Sequence, residues 1–443
     1  MALTGRFVAL LAIGVLPIIL VDSSAPGSAV WVLIGWLSLG IVLVAVDLAV
    51  AASPRAVSVE RDVPLRVRLG ESVDAQLLLM NTGHRRLAGV VRDAWQPSAG
   101  ATVTRSRVSI PAGERRRITV PLRPTRRGDR RVESVTIRSL GPLGFAARQA
   151  SLIAPGRIRV LPAFNARKHL PSRLARLREL DGRTAVMLRG QGTEFDSLRE
   201  YVRGDDVRSI DWRATARQGT MTGAAQRLMV RTWRPERDRR VVIIVDTART
   251  SAARIDDEPR IDTAFESALL LGALASHAGD RVDFLAWDRR VRGRVHGAVG
   301  AELLSRMVDS MAVIQPELIE ADWAAVPALV RSVTNRHAFV VLLTAIDAPG
   351  AAGGLLAMLP QLTRRHTVAV ASVSDPDALK AVADRTDLDG VYRAASAERA
   401  LLDVARVSAA IRQLGADVVT GAPSDLPPAL ADRYIALKAA GRL

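Results

Sequence analysis

The sequence predicts a doubly wound α/β domain, preceded by an antiparallel β-sandwich domain and, at the start of the chain, by a transmembrane hairpin of two helices. Three observations carry this reading. Two uncharged apolar runs open the chain, at residues 7–21 and 29–46. Short alternating runs separated by turn residues fill residues 54–162, the pattern of half-buried antiparallel strands. From Val241 onward, continuous apolar runs of strand length alternate with segments of helical period, which marks parallel strands buried on both faces. A chain of 443 residues holds several domains. We expect the hairpin at 1–52, the β-sandwich at 53–163, a linker helix with a charged segment at 164–240, and the α/β domain at 241–443.

The first apolar run, interrupted by Pro17, spans about 22 Å as a helix. That is short of the roughly 30 Å hydrocarbon core, but residues 2–6 extend it, with Arg6 reaching the headgroups. The second run ends at Asp47, and Trp31 near its start suits an interfacial anchor. Arg6 precedes the pair and Arg55, Arg61, Arg66 and Arg68 follow it, whereas the intervening loop carries only Asp22. The positive-inside rule therefore places both ends, and the soluble domains, on the cytoplasmic side of the membrane. A cleaved signal is the alternative for the first run; the second run would still hold the body on the same side.

Within the β region, alternation is evident at 65–69, 103–110, 118–122 and 132–137, with turn residues at 70–71, 81–83, 111–113 and 127–129. Residues 166–180 suit a basic linker helix. Residues 241–246 form the first buried strand. Ile261, Ala264, Phe265, Ala268 and Leu269 then follow at helical spacing, with Asp262 and Glu266 opposite. Further strands are expected at 282–287, 338–344 and 367–373, and helices at 301–311, 396–414 and 426–440.

Composition narrows the chemistry. There is no cysteine, which excludes disulfides and thiolate sites. His84, His169, His277, His296, His337 and His366 are scattered, without the spacing of a metallohydrolase. No Gly-rich phosphate loop of the Gly-x-x-x-x-Gly-Lys-Ser/Thr type occurs, and no nucleophile–base pair stands out, so the chain reads as a non-enzyme. The net charge is +17 and lysine occurs only at 168, 380 and 438. A chain rich in Ala, Arg, Gly and Val points to a GC-rich genome. A basic surface binding anionic lipid or nucleic acid is the alternative, although recognised nucleic-acid modules are absent and no nucleic-acid partner is expected.

Two features suggest function. In the α/β domain, Asp246-Thr-Ala-Arg-Thr250 follows the first strand, at the sheet edge where such folds bind ligands. It resembles the Asp-x-Ser-x-Ser motif of the metal-ion-dependent adhesion site of von Willebrand factor A-type domains, where a carboxylate and two hydroxyls hold Mg²⁺. Asp246 and Thr250 match and Asp347 suits the later acidic ligand. Ala248 lacks the second hydroxyl, and Thr263 is a candidate for the remaining threonine. A site short of a ligand binds Mg²⁺ weakly; otherwise Asp246 caps its loop through backbone amides.

The second feature is the charged segment at 192–217. It holds Phe195, Leu198, Arg199, Glu200, Tyr201, Gly204, Asp205, Asp206, Arg208, Ile210, Asp211, Trp212 and residues 214–217 in that order. This order resembles the signature of the bacterial family called domain of unknown function 58. Arg126-Arg127-Gly128, Gly-Pro-Leu-Gly-Phe at 141–145, the tandem apolar runs and a last helix with Tyr434, Leu437 and Lys438 fit the same family. The resemblance implies a membrane-tethered protein with a β-rich domain and a von Willebrand factor A-like domain. It also implies an adaptor or cochaperone role beside an AAA+ ATPase of the MoxR type. In the segment itself, Arg199, Arg208 and Arg217 can pair with Glu200, Asp206 and Asp211, and Tyr201 and Trp212 can bury their rings. The segment then either staples the two domains or presents a partner's docking face.

Overall fold

The computed structural model describes residues 1–24, 27–187, 194–202, 207–222, 228–234, 239–347 and 349–443. The chain divides into two compact units, Met1–Leu161 and Pro162–Leu443.

The first unit opens with a short strand, β1 (Ala2–Leu3), and three apolar helices, α1 (Gly5–Ile13), α2 (Val15–Ser24) and α3 (Ala29–Val50). The first apolar run is thus two helical pieces joined at Gly14. A Cβ there would lie 2.1 Å from the Trp36 indole, so glycine lets α3 pass close to the junction. The Trp36 Nε1–H donates to the Leu10 carbonyl at 3.1 Å. Among the described residues one helical segment, Ala29–Ala56, is long and apolar enough to cross a membrane; Gly5–Val21 is shorter. Of the two spans expected from the sequence, the second is thus supported by length and composition, and the first, already short as a run, falls below that length.

Eight strands follow: β2 (Val57–Asp62), β3 (Arg66–Arg68), β4 (Val73–Asn81), β5 (Leu87–Asp93), β6 (Arg105–Ile110), β7 (Arg115–Leu122), β8 (Gly128–Leu140) and β9 (Ala146–Leu161). One sheet runs β1-β9-β8-β5-β6 with β3 also on β9; the other runs β2-β4-β7. All pairings are antiparallel except β3 with β9. Alternate side chains of both sheets, among them Leu77, Leu79 and Val120 from one and Val91, Ile137 and Ile158 from the other, share one hydrophobic core. Arg61 on β2 forms a two-pronged ion pair with Asp93 on β5, at 2.9 and 2.8 Å.

The end of α3 is fastened to this unit. Asp47 is fully buried, and its carboxylate accepts the backbone N–H groups of Leu143 at 2.8 Å, Phe145 at 2.6 Å and Ala146 at 3.0 Å. The Thr4 hydroxyl donates to the Gly144 carbonyl at 2.6 Å. Arg85 donates to the Ala49 and Val50 carbonyls, a cation on carbonyls that a helix end leaves without internal partners.

The second unit begins with α4 (Leu170–Met187), β10 (Glu194–Glu200), α5 (Trp212–Thr222) and β11 (Met229–Arg234). Strands β10 and β11 form a separate antiparallel pair. Next come β12 (Arg240–Asp246), the small pair β13 (Arg254–Ile255) and β14 (Glu258–Pro259), α6 (Arg260–His277), β15 (Arg281–Trp287), β16 (Val291–Val295), α7 (Gly300–Val313) and α8 (Val326–Val333). The chain closes with β17 (Phe339–Leu343), α9 (Pro349–Thr363), β18 (Thr367–Val373), α10 (Pro376–Ala383), α11 (Leu388–Gln413), β19 (Asp417–Gly421) and α12 (Leu426–Ala439).

These build a mixed six-stranded sheet of order β16-β15-β12-β17-β18-β19, parallel except for β16. Helix α6 packs against β12 and β15 as well as α4, α7 and α12. That coverage explains why Glu266, expected on the outer face, is buried. Its carboxylate accepts the N–H groups of Asn165 at 3.1 Å and Ala166 at 3.2 Å, tying the segment before α4 onto α6. At the far end of α6, Tyr434 is fully buried and donates to Asp280, which Lys438 also reaches at 3.0 Å.

Candidate functional site

The parallel strands run in the order second, first, third, fourth, fifth, so the chain reverses direction across the sheet between β12 and β17. In such sheets ligands bind beyond the carboxyl ends of the strands at this switch point. Asp246 ends β12 there and Thr344 follows β17. The Thr344 hydroxyl donates to Asp246 Oδ2 at 2.7 Å and the Thr250 hydroxyl to the same oxygen at 3.2 Å. The Ala248 N–H donates to Oδ1 at 2.8 Å, and the Ser251 hydroxyl to the Asp246 carbonyl at 2.7 Å. Asp246 is buried. Burial pushes its carboxyl above the usual range, against the three hydrogen bonds, and the charge of Asp288 pushes the same way.

Asp288 lies just past the end of β15, beside β12. Its Oδ2 accepts the Thr247 hydroxyl at 3.2 Å and the Arg292 guanidinium, and its Oδ1 accepts the N–H groups of Arg289 and Arg290. Burial alone would raise its carboxyl; Arg292 and the two backbone donors outweigh that and hold it below the usual range. Sequence reasoning missed Asp288. The available signal was a carboxylate directly after a buried apolar strand, as at Asp246.

Of the proposed metal ligands, the structure brings Thr250 to Asp246 but holds Asp347 elsewhere: Asp347 is exposed and pairs with Arg260. Thr263 donates to Glu258 instead, and Thr344 fills the place beside Asp246 that Thr263 was expected to take. Both Asp246 oxygens already accept internal donors, Ala248 supplies no oxygen, and a guanidinium neutralises Asp347. Arg260 also lines the shallow depression next to Thr344 and Ser251. Among the described residues no group of three or more His, Cys, Asp or Glu side chains can hold a metal. These residues do not fit Mg²⁺, which needs several free oxygen donors in near-octahedral array.

Of the pairings expected in the charged segment, that of Asp211 goes to a different arginine. Asp211 caps α5, its Oδ1 accepting the N–H groups of Arg213 at 2.9 Å and Ala214 at 3.0 Å. Its other oxygen pairs with Arg231 on β11 at 2.7 Å, not with Arg208 or Arg217. These contacts hold its carboxyl below the usual range, the Ala214 N–H contributing most. Thr215 is buried, donating to the Asp211 carbonyl at 2.9 Å and accepting the Met229 N–H at 3.0 Å. Arg199 donates to the Glu200 backbone carbonyl at 3.1 Å. Tyr201 is half-buried, and Glu200, Arg208 and Arg217 are exposed. The Trp212 ring is not buried as expected but 65% exposed. Gly204, Asp205 and Asp206 lie outside the described residues.

The VWA domain of SpRpn10 is similar over 44% of this chain and 94% of its own, at 8% identity and a TM-score of 0.29. The CARDB domain of PF1109 from Pyrococcus furiosus is similar over 24% of this chain and 94% of its own, at 17% identity and a TM-score of 0.19. A β-glucosidase from Listeria innocua is similar over 22% of this chain and 16% of its own, at 15% identity and a TM-score of 0.15. No curated protein matches the chain. The family model described as "Protein of unknown function DUF58" matches residues 197–413, a span that takes in Asp211, Trp212, Asp246 and Asp288.

Proposed function

We propose that this chain is a membrane-anchored, non-enzymatic adaptor or cochaperone whose partner is an AAA+ ATPase of the MoxR type. The reading gives α1 and α2 the role of a first span beside α3, the two sheets of the first unit the role of a sandwich-like spacer, and the second unit a von Willebrand factor A-like role. Both units then face the cytoplasm, with the arginines that flank the apolar runs on that side.

The observation that carries the reading is Trp212. A tryptophan 65% exposed is unusual unless another surface covers it. It opens a helix fixed by the Asp211 cap, with exposed Arg208, Arg213 and Arg217 beside it in sequence. Tryptophan and arginine are the residue types that dominate protein–protein binding energy. The filled Asp246 site leaves no cation to bridge a partner's carboxylate, which favours recognition by side chains.

The test is affinity capture of a MoxR-type ATPase by the detergent-solubilised full chain. Trp212→Ala should weaken capture by at least about tenfold, the scale of a hot-spot residue, and leave the fold's thermal transition unchanged. Undiminished capture by that variant removes Trp212 from the interface. Failure of the unaltered chain to retain any such ATPase removes the partner.

A further inference from the structure

We infer that the groove between the membrane helices and the β sheet of the first unit is a binding site for the phosphate of an anionic phospholipid. It is lined by Arg6 before α1, Val50 and Ala51 at the end of α3, Arg86 and Gly89 beside and on β5, and Arg107 on β6, and by no acidic side chain. All three arginines are exposed. Arg6 makes one long contact, to the Leu143 carbonyl at 3.5 Å; Arg86 and Arg107 have no hydrogen-bond or ion-pair partner among the described residues. The groove has a volume of about 870 Å³, room for a headgroup and its glycerol. Asp47, behind the lining residue Gly141, is fully buried with both oxygens committed to backbone N–H groups, so it forms no ion pair with these arginines.

Position makes the ligand a lipid. The inference rests on the membrane-anchored reading, in which α3 crosses the bilayer. The headgroup layer is roughly 5–7 Å deep on each side, about one helical turn. Ala51 and Ala52, directly after α3, are already buried, and Thr4 and Asp47 pin the turn at 141–145 to both helix ends. The first unit therefore starts within one turn of the span, and the three arginines sit at headgroup depth. Beside them Pro142 lines the groove and Leu143 is 40% exposed, an apolar edge at the same level. Arginine forks match phosphate oxygens, and a groove rather than a flat face lets several converge on one lipid.

The full chain is reconstituted in mixed phosphatidylglycerol–phosphatidylcholine bilayers, re-extracted in mild detergent, and its retained lipids are weighed by native mass spectrometry. Retention enriched in phosphatidylglycerol is expected. Arg86→Gln with Arg107→Gln should cut that enrichment by about tenfold or more, each juxtamembrane arginine being worth several-fold. Arg116→Gln with Arg117→Gln, exposed on β7 outside the groove, should leave it intact. Equal loss in both variants, or none in either, overturns the site. So does binding of glycerol phosphate in detergent as tight as binding of the lipid, because the groove would then be a soluble-anion site. Alkaline carbonate extraction separates the two readings. A chain that stays with the membrane but shows no lipid preference defeats the site alone, whereas a chain that washes off defeats the anchoring reading as well.

Discussion

Asp47 occupies the space that a side chain at Gly141 would need: a Cβ built on Gly141 would lie 2.4 Å from Asp47 Oδ1. The last residues of an apolar helix and a tight turn of the β unit are thus closed on each other by one carboxylate and three N–H groups. Replacing Asp47 by alanine strands those donors in a buried place. The cost should be about 3 kcal/mol, the scale of a lost charge-assisted hydrogen bond with its unsatisfied partners. Gly141→Ala should destabilise through the same contact by pushing the carboxylate away. Thermal unfolding of the full chain in detergent, followed by tryptophan fluorescence, reads both. Wild-type transitions in both variants would remove Asp47 as the fastening.

The Asp246 carboxyl is raised by burial, and the sign of its effect follows. Its folded form holds a proton at pH values where the unfolded chain has already lost it. Stability from this group therefore falls as pH rises from the ordinary carboxylate range through the raised folded value. Asp246→Asn removes the titration. Its amide oxygen can accept from Ala248 and its NH₂ can donate to the two threonine hydroxyls, whose oxygens also accept. The variant should match the native chain in acid and become relatively more stable toward neutral pH. Denaturant unfolding across that window checks this; a variant that loses ground as pH rises contradicts it.

Cation binding gives a separate expectation. Millimolar Mg²⁺ should leave the unfolding temperature within about 1 °C, because a ligand far below its dissociation constant stabilises negligibly. Ala248→Ser restores one hydroxyl but leaves Asp347 paired with Arg260, so it should still fail. Ala248→Ser combined with Arg260→Gln supplies the hydroxyl and also releases the Asp347 carboxylate from its ion pair, and should produce a Mg²⁺-dependent rise. A response in the unaltered chain would show that Arg260 yields to the metal.

The parallel sheet was legible because its strands are continuous apolar runs: residues 241–245, 339–343 and 368–373 are each buried along their length. The helix after the first strand was legible too, but not its surroundings. Glu266 sits at the polar position of a helical pattern, and only the packing of α4, α7 and α12 around α6 buries it. Asp246 was legible as a strand-end carboxylate. That Thr344 would reach it and Arg260 would claim Asp347 depends on loops brought together from about 90 residues apart, which no local pattern encodes. Trp212 was misjudged because large aromatics are buried far more often than not. The short strand β19, Asp417–Gly421, lies at the sheet edge and is only partly buried, so it lacks the apolar run that marked the others.

Arg61 and Asp93 tie the two sheets of the first unit, each side chain only 3% exposed. Arg61 also donates to the Ala154 carbonyl at 3.0 Å and lies over the Trp95 ring at 5.4 Å. A Cβ on Gly156 would meet Arg61 Cδ at 2.3 Å, so the strand is bare where the guanidinium stem passes. Two charges removed from water recover that cost only while both are present. Arg61→Ala or Asp93→Ala alone should therefore cost about 3–5 kcal/mol by leaving its partner buried and uncompensated. Arg61→Met with Asp93→Leu, of similar volume and no charge, should be roughly neutral. A double-mutant cycle on chemical unfolding measures the coupling. Single variants that cost little would mean that water reaches the pair, and additive costs would mean that the two charges do not act on each other.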